Sequence, residues 1–423
     1  MKILSCILLV LSLAACTSGG EGSDKGVSFK FPDLSDIHPY IANSTYSNQL
    51  KTCVNISSSG ASCSLSTLPL IGMEFDQPSI EQIMQRVVVS HDWMGQRFQE
   101  YLNEAPTEIL TLLKTTSAIV IADNIRPAYF LDYSGAIYLD PSFLWLTNEE
   151  KTDVSKDTDY RTSFGNNLPF KHYTRNLIDS NNAYIIFSLN NDTERTLEDT
   201  IISTSRLLLH ELAHANDCVQ TQNMMNISEQ QTYYNYIIKQ KNGALCAYQK
   251  LTNLSPLSSS IWKSLGKVLF KGYEVTADQI TMSPRTTGEA FAADNATDFY
   301  SYATSREDTA IAFEVLMLKK LFNVDRDVII YPNSTKAFCD NKIDWGERGR
   351  LATPSIYERS EFVTELMLPD MDLSTFYQTL PAVFEIPEGT DICTKDFGQG
   401  TLNASSTPLN NEVYSVHEEI PFL

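Results

Sequence analysis

The chain has 423 residues, with 52 acidic and 32 basic side chains and a formal net charge of −20 at pH 7. Binding to nucleic acid phosphates needs a basic surface, so this charge argues against a nucleic acid partner. The length is sufficient to bury the core of one large domain or of two ordinary ones.

The first residues have the composition of a signal peptide. Lys2 precedes an apolar run over residues 3–13, and small residues follow, which predicts a signal peptide over residues 1–15. The run is too short to cross a hydrocarbon core, which needs about 20 residues. No later apolar stretch is long enough either, so we expect no transmembrane helix.

The segment Leu13-Ala14-Ala15-Cys16 resembles the lipobox of bacterial lipoproteins. This resemblance implies that Cys16 is acylated and becomes the first residue of the mature chain. Thr17 and Ser18 follow without the aspartate that retains lipoproteins at the inner membrane, which implies the outer membrane if the cell is Gram-negative. Residues 16–35 then form a flexible tether, and the lipid is the expected membrane contact.

The remaining cysteines suggest disulfide bonds in an oxidising compartment. They are even in number: Cys53, Cys63, Cys218, Cys246, Cys339 and Cys393. Pairing each with its neighbour along the chain closes the shortest intervals, and this is the pairing we predict, with a hairpin turn between Cys53 and Cys63. Metal ligation by cysteine is the alternative, but the chain lacks a C-x-x-C pair.

We place a lead-in at residues 36–76, a core at 77–324 and a C-terminal elaboration at 325–423. Apolar periodicity predicts helices at 79–102, 107–113, 230–240, 257–270 and 355–368. Runs of β-branched and aromatic residues predict strands at 118–122, 136–139, 183–188 and 328–330. The polar interval 148–182 is expected to be an irregular excursion or lid.

A long helix is predicted over residues 196–217, where Gly and Pro are absent and Thr196 with Asp199 resembles a capping box. His210 and His214 are four residues apart, so both rings lie on one helix face and can bind one metal ion. Glu211 lies at the flank of that face. The alternative is a buried helix whose histidines are satisfied by internal hydrogen bonds.

His210, Glu211 and His214 form an H-E-x-x-H motif, and the order helix, strands, motif helix resembles the zincin class of zinc metallopeptidases. The resemblance implies an α+β fold with a small mixed sheet, a central motif helix and a helical second half. It also implies a Zn²⁺ cofactor, Glu211 as general base and an edge strand that pairs with an extended substrate. Residues 136–139 or 183–188 are the candidates for that strand. Fe(II) also binds two histidines and a carboxylate, but a glutamate between the histidines favours hydrolysis.

Two histidines require a third protein ligand. A metzincin would place a histidine or aspartate at position 220, but this residue is Gln220, so that subclass is excluded. The segment Glu307-Asp308-Thr309-Ala310 resembles the Glu-Asp-x-Ala segment of gluzincins, which implies Glu307 as the third ligand. Alternatively, Glu307 only completes a capping box with Thr304. The rival ligands are Glu289, Glu274 and Glu229.

Other residues have candidate roles around the metal. Asp217 lies three residues beyond His214 and is placed to orient the histidines, although it is also explained as a solvated residue at a helix end. An oxyanion donor is usual in the family. Tyr302, Tyr357 and His172 are candidates, and the sequence does not choose among them.

The sequence therefore predicts a lipid-anchored zinc metallopeptidase of the bacterial cell envelope that hydrolyses peptide bonds in a peptide or protein substrate. One alternative is a zinc amidase that acts on cell-wall peptides. The other is a non-catalytic envelope-binding lipoprotein that keeps a zincin core.

Overall fold

The structure, a computed structural model, describes residues 30–219 and 221–397. The predicted signal peptide, Cys16 and most of the tether lie outside the described residues. The helices and strands follow in this order: β1 (His38–Pro39), α1 (Ser47–Val54), α2 (Ile71–Glu74), α3 (Ile80–Met84), β2 (Val87–Val89), α4 (Asp92–Glu104), α5 (Thr107–Leu113), β3 (Ile119–Ile121), β4 (Tyr129–Leu131), β5 (Ala136–Leu139), α6 (Asn148–Thr152), β6 (Phe170–Ile178), β7 (Asn181–Asn182), α7 (Glu198–Asp217), α8 (Tyr233–Asn242), α9 (Ala247–Leu254), α10 (Ser260–Lys271), α11 (Ala277–Ile280), α12 (Pro284–Ala292), α13 (Ser305–Phe322), β8 (Asp325–Pro332), β9 (Trp345–Arg348), α14 (Pro354–Met367) and β10 (Phe384–Glu385). The predicted α+β class is confirmed.

The first sheet is mixed, with strand order β1-β2-β3-β5-β4. Strands β2, β3 and β5 are parallel, and β1 and β4 run antiparallel to their neighbours. Alternate side chains enter two separate cores, because successive residues of a strand point to opposite faces. Ile119 and Ile121 pack in the same core as the leucines of α7, whereas Val120 packs with residues of α1. The sheet therefore supports α7 on one face.

The second sheet is antiparallel, with strand order β10-β9-β8-β6-β7. Strand β8 pairs along its length with β6, and Pro332 lies opposite Phe170. This sheet crosses the boundary that we placed at residue 325, since β6 precedes it and β8, β9 and β10 follow it. The C-terminal residues thus extend a sheet whose first strand precedes the motif helix.

Helix α7 is central. Its last thirteen residues, from Ser205 to Asp217, are buried, and it packs against α13, which in turn packs against α14. Within the described part of the chain, no helix has both the length and the apolar character that a membrane crossing requires.

The single helix predicted over residues 79–102 is wrong. Helix α3 ends at Met84, strand β2 intervenes, and α4 begins at Asp92. The reason is that Val87, Val88 and Val89 are all fully buried, which suits a central parallel strand covered on both faces. An amphipathic helix would leave part of such a run exposed.

The strand predicted at 183–188 is also wrong, because this segment has no regular structure and Ile185 and Ile186 are exposed. The strand lies earlier, at β6, inside the interval that we expected to be irregular. The sequence analysis missed this strand because it contains polar residues. Arg175, for example, is buried because it pairs with Asp327 and not because it is apolar.

The edge-strand prediction needs the same correction. Residues 136–139 form β5, which lies between β3 and β4 and is not an edge strand. The edge on this side is β4, a strand that the sequence analysis did not identify. It contacts α7.

The three predicted disulfides are confirmed: Cys53–Cys63, Cys218–Cys246 and Cys339–Cys393. The hairpin predicted for the first pair is wrong, because Cys53 lies in α1 and a short 3₁₀ helix, Ser59–Ala61, precedes Cys63. The second disulfide joins the residue after α7 to the residue before α9.

Candidate metal centre

Helix α7 begins at Glu198, two residues after the predicted start, and the predicted capping box between Thr196 and Asp199 is present. The Thr196 N–H donates to Asp199 Oδ2 at 2.7 Å, and the Asp199 N–H donates to Thr196 Oγ1 at 3.4 Å. These bonds satisfy backbone donors that the first turn of a helix leaves open. His210 and Glu211 lie in the buried second half of α7 and are 0 % exposed, and His214 is 4 % exposed.

His210, His214 and Glu307 meet in one cluster. Glu307 Oε2 lies 3.1 Å from His210 Nε2 and 3.3 Å from His214 Nε2. One donor atom from each residue lies within 4.8 Å of the others. The cluster joins two helices, since Glu307 belongs to the first turn of α13.

Two roles were considered for Glu307, as a metal ligand and as part of a capping box, and the position of its side chain distinguishes them. Its backbone N–H donates to Thr304 Oγ1 at 3.1 Å, so Thr304 caps α13. The Glu307 carboxylate faces the histidine rings instead of returning to the cap. The rivals Glu289, Glu274 and Glu229 are exposed and take no part in the cluster.

The donor set fits zinc. Zinc binds nitrogen and oxygen donors at about 2.0–2.2 Å, so donors on a tetrahedral ion are about 3.3–3.6 Å apart. The two nitrogen–oxygen separations of 3.1 and 3.3 Å are close to that spacing. Two imidazoles and one carboxylate are also the protein ligands of a catalytic zinc site that keeps one open position.

Glu211 is a buried carboxylate without a hydrogen bond. Oε1 and Oε2 are both inaccessible to solvent, and neither has a partner among the described residues. Burial raises the pKa of Glu211 to about 8, although the charge of His210 opposes this shift. An unpartnered buried carboxylate beside the cluster of His210, His214 and Glu307 is costly to the fold, which is typical of a functional residue.

The carboxylates of Glu307 and Glu314 favour a positive charge at His210. Burial alone would lower the pKa of His210, but hydrogen bonds to Glu307 and Glu314 raise it to about 9. Burial alone would raise the pKa of Glu307, but the two histidines lower it to about 2. The centre therefore places an anionic carboxylate against both rings.

The residue that orients His210 is Glu314, which sequence reasoning missed. Glu314 Oε2 lies 3.0 Å from His210 Nδ1, and Glu314 Oε1 accepts hydrogen bonds from Arg206 Nε at 3.0 Å and from Arg326. Glu314 follows Glu307 by seven residues, which is two helical turns, so both carboxylates project from one face of α13. That spacing is the signal that could have identified it.

Asp217 bonds to groups other than the histidines. Its Oδ1 accepts the Tyr248 N–H at 2.8 Å, and its Oδ2 lies 3.3 Å from Arg306 Nε. Arg306 also pairs with Asp132, just beyond β4. Because Arg306 immediately precedes Glu307, Asp217 helps to fix the beginning of α13.

The three candidate oxyanion donors have other contacts. The Tyr302 hydroxyl donates to Asp294 Oδ2 at 2.7 Å, and the Tyr357 hydroxyl donates to the Leu373 carbonyl at 3.3 Å. The His172 ring packs edge-on against Phe270 and Phe299.

Tyr300, which the sequence analysis did not select, lies nearer to the centre. Its ring centroid is 6.3 Å from that of His210. Burial and the charge of Glu307 raise the pKa of Tyr300 well above its usual value, so its hydroxyl keeps its proton at neutral pH. Tyr300 is therefore a neutral donor whose ring lies beside His210.

Comparison of the chain with protein-family models, with curated proteins and with solved structures gives no match.

Proposed function

We propose that the chain is a zinc-dependent metallopeptidase of the zincin type. The observation that carries this proposal is the buried Glu211 carboxylate, which has no hydrogen-bond partner among the described residues and belongs to the same helix turn as two clustered histidines. If this position had only a structural role, its side chain would be expected to have a hydrogen-bond partner or to be apolar, because a buried carboxylate without a partner destabilises the fold.

His210, His214 and Glu307 would hold the ion. Zinc bound there supplies a water of lowered pKa and polarises the carbonyl of the bond to be cleaved. Glu314 holds His210 by its Nδ1, so the Nε2 atom faces Glu307 and the other histidine. The Arg306 pairs with Asp217 and Asp132 fix the helix end from which Glu307 projects.

Glu211 would move the proton. A carboxylate whose pKa lies near neutrality can accept a proton from the attacking water and return it to the leaving amine. Its isolation from other hydrogen-bond donors leaves both oxygens available for this task. Tyr300, with a neutral hydroxyl near His210, is the candidate to donate to the developing oxyanion.

The first sheet supports a peptide as the substrate. β4 pairs with β5 on one side and with no other strand of the described residues on the other. An extended peptide can add to such an edge through backbone hydrogen bonds. β4 also contacts the motif helix, so a peptide on its edge would lie beside α7.

The centre is enclosed, and catalysis requires that it open. The side chains of His210, Glu211 and Glu307 are at most 3 % exposed. Arg161, from the irregular part of the interval 148–182, is also buried, and its charge lowers the pKa of Glu211. We therefore assign the segment around Arg161 as a lid that moves when a substrate binds.

The experiment compares the wild-type chain with Glu211→Gln, using a peptide library with mass-spectrometric detection of products. We expect Glu211→Gln to keep about one zinc per chain and to lose cleavage by at least about a hundredfold. Glu198→Gln, an exposed substitution in the first turn of the same helix, is the matched control and leaves cleavage unchanged. Cleavage that persists in Glu211→Gln contradicts the proposal, and a wild-type chain that binds zinc without cleaving any peptide favours the non-catalytic alternative.

We also propose that the protein works outside the cytoplasm, anchored through an acyl group on Cys16. The three disulfides support an oxidising compartment. Metabolic labelling with a fatty acid tests the anchor: the wild-type chain takes up label and Cys16→Ala does not. A label that survives in Cys16→Ala, or no label at all, refutes the anchor.

A further inference from the structure

A cavity of about 340 Å³ lies beside the first half of α7. Ser203 and Arg206 of α7 form one wall, residues 184–190 form another, and residues 156–159 with Thr162 close it. The volume is within the range of small-molecule and peptide subsites. Its lining combines apolar side chains, including Phe143 and Ile186, with several charged groups.

One of those charged groups, Arg195, is unlike every other arginine of the chain. All thirteen arginines lie in the described residues, and twelve of them form an ion pair with a carboxylate. Arg195 forms no ion pair with the described residues. In a chain of net charge −20, where carboxylates are abundant, this is a notable exception.

Arg195 is held in place by neutral groups. Its Nη2 donates to the Ser142 carbonyl at 2.7 Å, its Nε donates to the Trp145 carbonyl, and its guanidinium lies 4.1 Å from the centre of the Trp145 ring. Burial lowers its pKa to about 9, so it still carries a positive charge at neutral pH. The charges of Asp199, Glu150 and Asp140 act on Arg195 without forming an ion pair with it. A fixed and partly desolvated guanidinium that forms no ion pair is a binding site for a carboxylate or another planar anion.

The other charges of the cavity do not neutralise Arg195. Asp159 is occupied on both oxygens by Arg161, at 3.0 and 2.6 Å, and Arg206 is occupied by Glu314. Lys156 and Asp157 are exposed neighbours of opposite sign. Arg126 also lines the cavity and is paired with Asp140. Among the buried and half-buried charges of the lining, Arg195 is thus the one that forms no ion pair with the described residues.

The cavity is linked to the candidate metal centre through Arg206, which lines the cavity and pairs with Glu314. Arg206 precedes His210 by one helical turn, about 6 Å along the axis, and the two residues contact the same carboxylate, Glu314. Asp159 and Thr162 line the cavity, while Arg161 between them acts electrostatically on Glu211. Glu198, at the start of α7, precedes His210 by twelve residues, about 18 Å along the axis, so a ligand held by Arg195 would have to extend along α7 to reach the reacting groups.

We propose that this cavity is the subsite that receives a carboxylate of the peptide substrate, with Arg195 as the group that binds it. The role of the cavity as a substrate subsite rests on the proposed peptidase function, whereas the binding of a carboxylate by Arg195 does not. The carboxylate comes from an Asp or Glu side chain or from the C-terminus of the peptide, and the apolar lining contacts the carbon chain that bears it.

The first test measures binding without metal or catalysis. The full chain, purified in detergent and freed of metal, is titrated with 3-phenylpropionate and with its neutral analogue 3-phenylpropionamide, by ligand-observed NMR or calorimetry. We expect the acid to bind at least about tenfold more tightly than the amide, because it gains a charge-assisted hydrogen bond. Arg195→Gln should abolish this difference, and Arg285→Gln, which changes an exposed arginine, should keep it.

A second variant tests the same proposal independently if Arg195→Gln fails to fold. Ile186 lines the cavity and is 50 % exposed, so Ile186→Glu can be accommodated and adds a competing carboxylate to the wall. We expect it to weaken binding of the acid about tenfold while the circular dichroism spectrum stays that of the wild type. Equal binding of acid and amide to the wild-type chain, or an unchanged acid-to-amide ratio in Arg195→Gln, overturns the proposal.

Peptide substrates then identify the source of the carboxylate. The zinc-loaded chain is given each cleaved peptide in three forms: unchanged, with a C-terminal amide, and with Gln in place of Glu. A tenfold fall in kcat/KM for the amide assigns the C-terminus, and a similar fall for the Gln peptide assigns a side chain. No fall in either form overturns the subsite. A chain that binds the acid through Arg195 but cleaves no peptide contradicts the proposed peptidase function alone.

Discussion

Glu314 lies behind His210, with its Oε2 atom 3.0 Å from the ring Nδ1, while Glu307 lies 3.1 Å from the Nε2 atom of the same ring. Burial alone would raise the pKa of Glu314, but the charges of Arg206 and Arg326 hold it well below its usual range. A permanently ionised carboxylate at Nδ1 fixes the ring orientation and makes Nε2 a better metal donor.

Glu314→Gln should therefore lower the affinity for zinc by about 10–100-fold, as expected for the loss of a group that orients a metal ligand. Competition with a chromophoric chelator of known affinity measures this change. Asp217→Asn is the matched comparison: it contacts neither ring in the structure and should change zinc affinity less. Equal losses in the two variants would return Asp217 to the role that the sequence analysis gave it.

The identity of the third ligand is tested by zinc content. Glu307→Gln should reduce bound zinc from about one per chain to a small fraction, because two imidazoles alone do not complete a zinc site. The exposed rivals supply three controls, Glu289→Gln, Glu274→Gln and Glu229→Gln, all of which should retain the metal. Metal analysis after gel filtration gives the ratio, and retention of zinc in Glu307→Gln removes the assignment.

Glu211→Gln should stabilise the metal-free chain. The wild-type carboxylate is buried without a hydrogen-bond partner in the part of the chain that the structure describes, and replacing it with a neutral amide of the same shape relieves the cost of burying a charge. We expect the free energy of unfolding to rise by about 1–3 kcal/mol at pH 8 in urea denaturation with a chelator present. Glu307→Gln should have the opposite sign, because it removes a carboxylate that is paired with both histidines. Destabilisation by Glu211→Gln would show that its carboxylate has a partner in solution.

Asp132 should contribute to the stability of the chain at neutral pH and lose that contribution in acid. Burial alone would raise its pKa, but Arg306 and Lys241 lower it below its ordinary value of 3.8. The folded state therefore binds its proton less readily than the unfolded state does. The contribution is complete above about pH 5 and disappears as the pH falls through the lowered pKa.

Asp132→Asn should accordingly cost about 1–2 kcal/mol at pH 7 and less at pH 3, so its stability falls less steeply with acid than that of the wild type. Urea titrations between pH 3 and pH 7 measure both slopes. Asp370→Asn, at an exposed position, should follow the wild-type slope. Parallel curves for the wild type and Asp132→Asn would contradict an ionic role for this residue.

The sequence determined those features that depend on short separations along the chain. The four-residue spacing of His210 and His214 fixes their common face once a helix forms, and the Thr196 and Asp199 cap fixes where that helix begins. The disulfides followed from the same principle, since each cysteine pairs with its neighbour in sequence.

The tertiary structure decided what no local spacing encodes. Glu314 reaches His210 across 104 residues, and strand β6 forms only because β8, more than 140 residues later, pairs with it. The Val87–Val89 strand and the β4 edge likewise depend on neighbouring strands in the sheet. The lack of an ion pair at Arg195 depends in the same way on the neutral groups that surround it in the folded chain. Side chains far apart in sequence interact only after the chain has folded, so their energies leave no periodic pattern in the sequence.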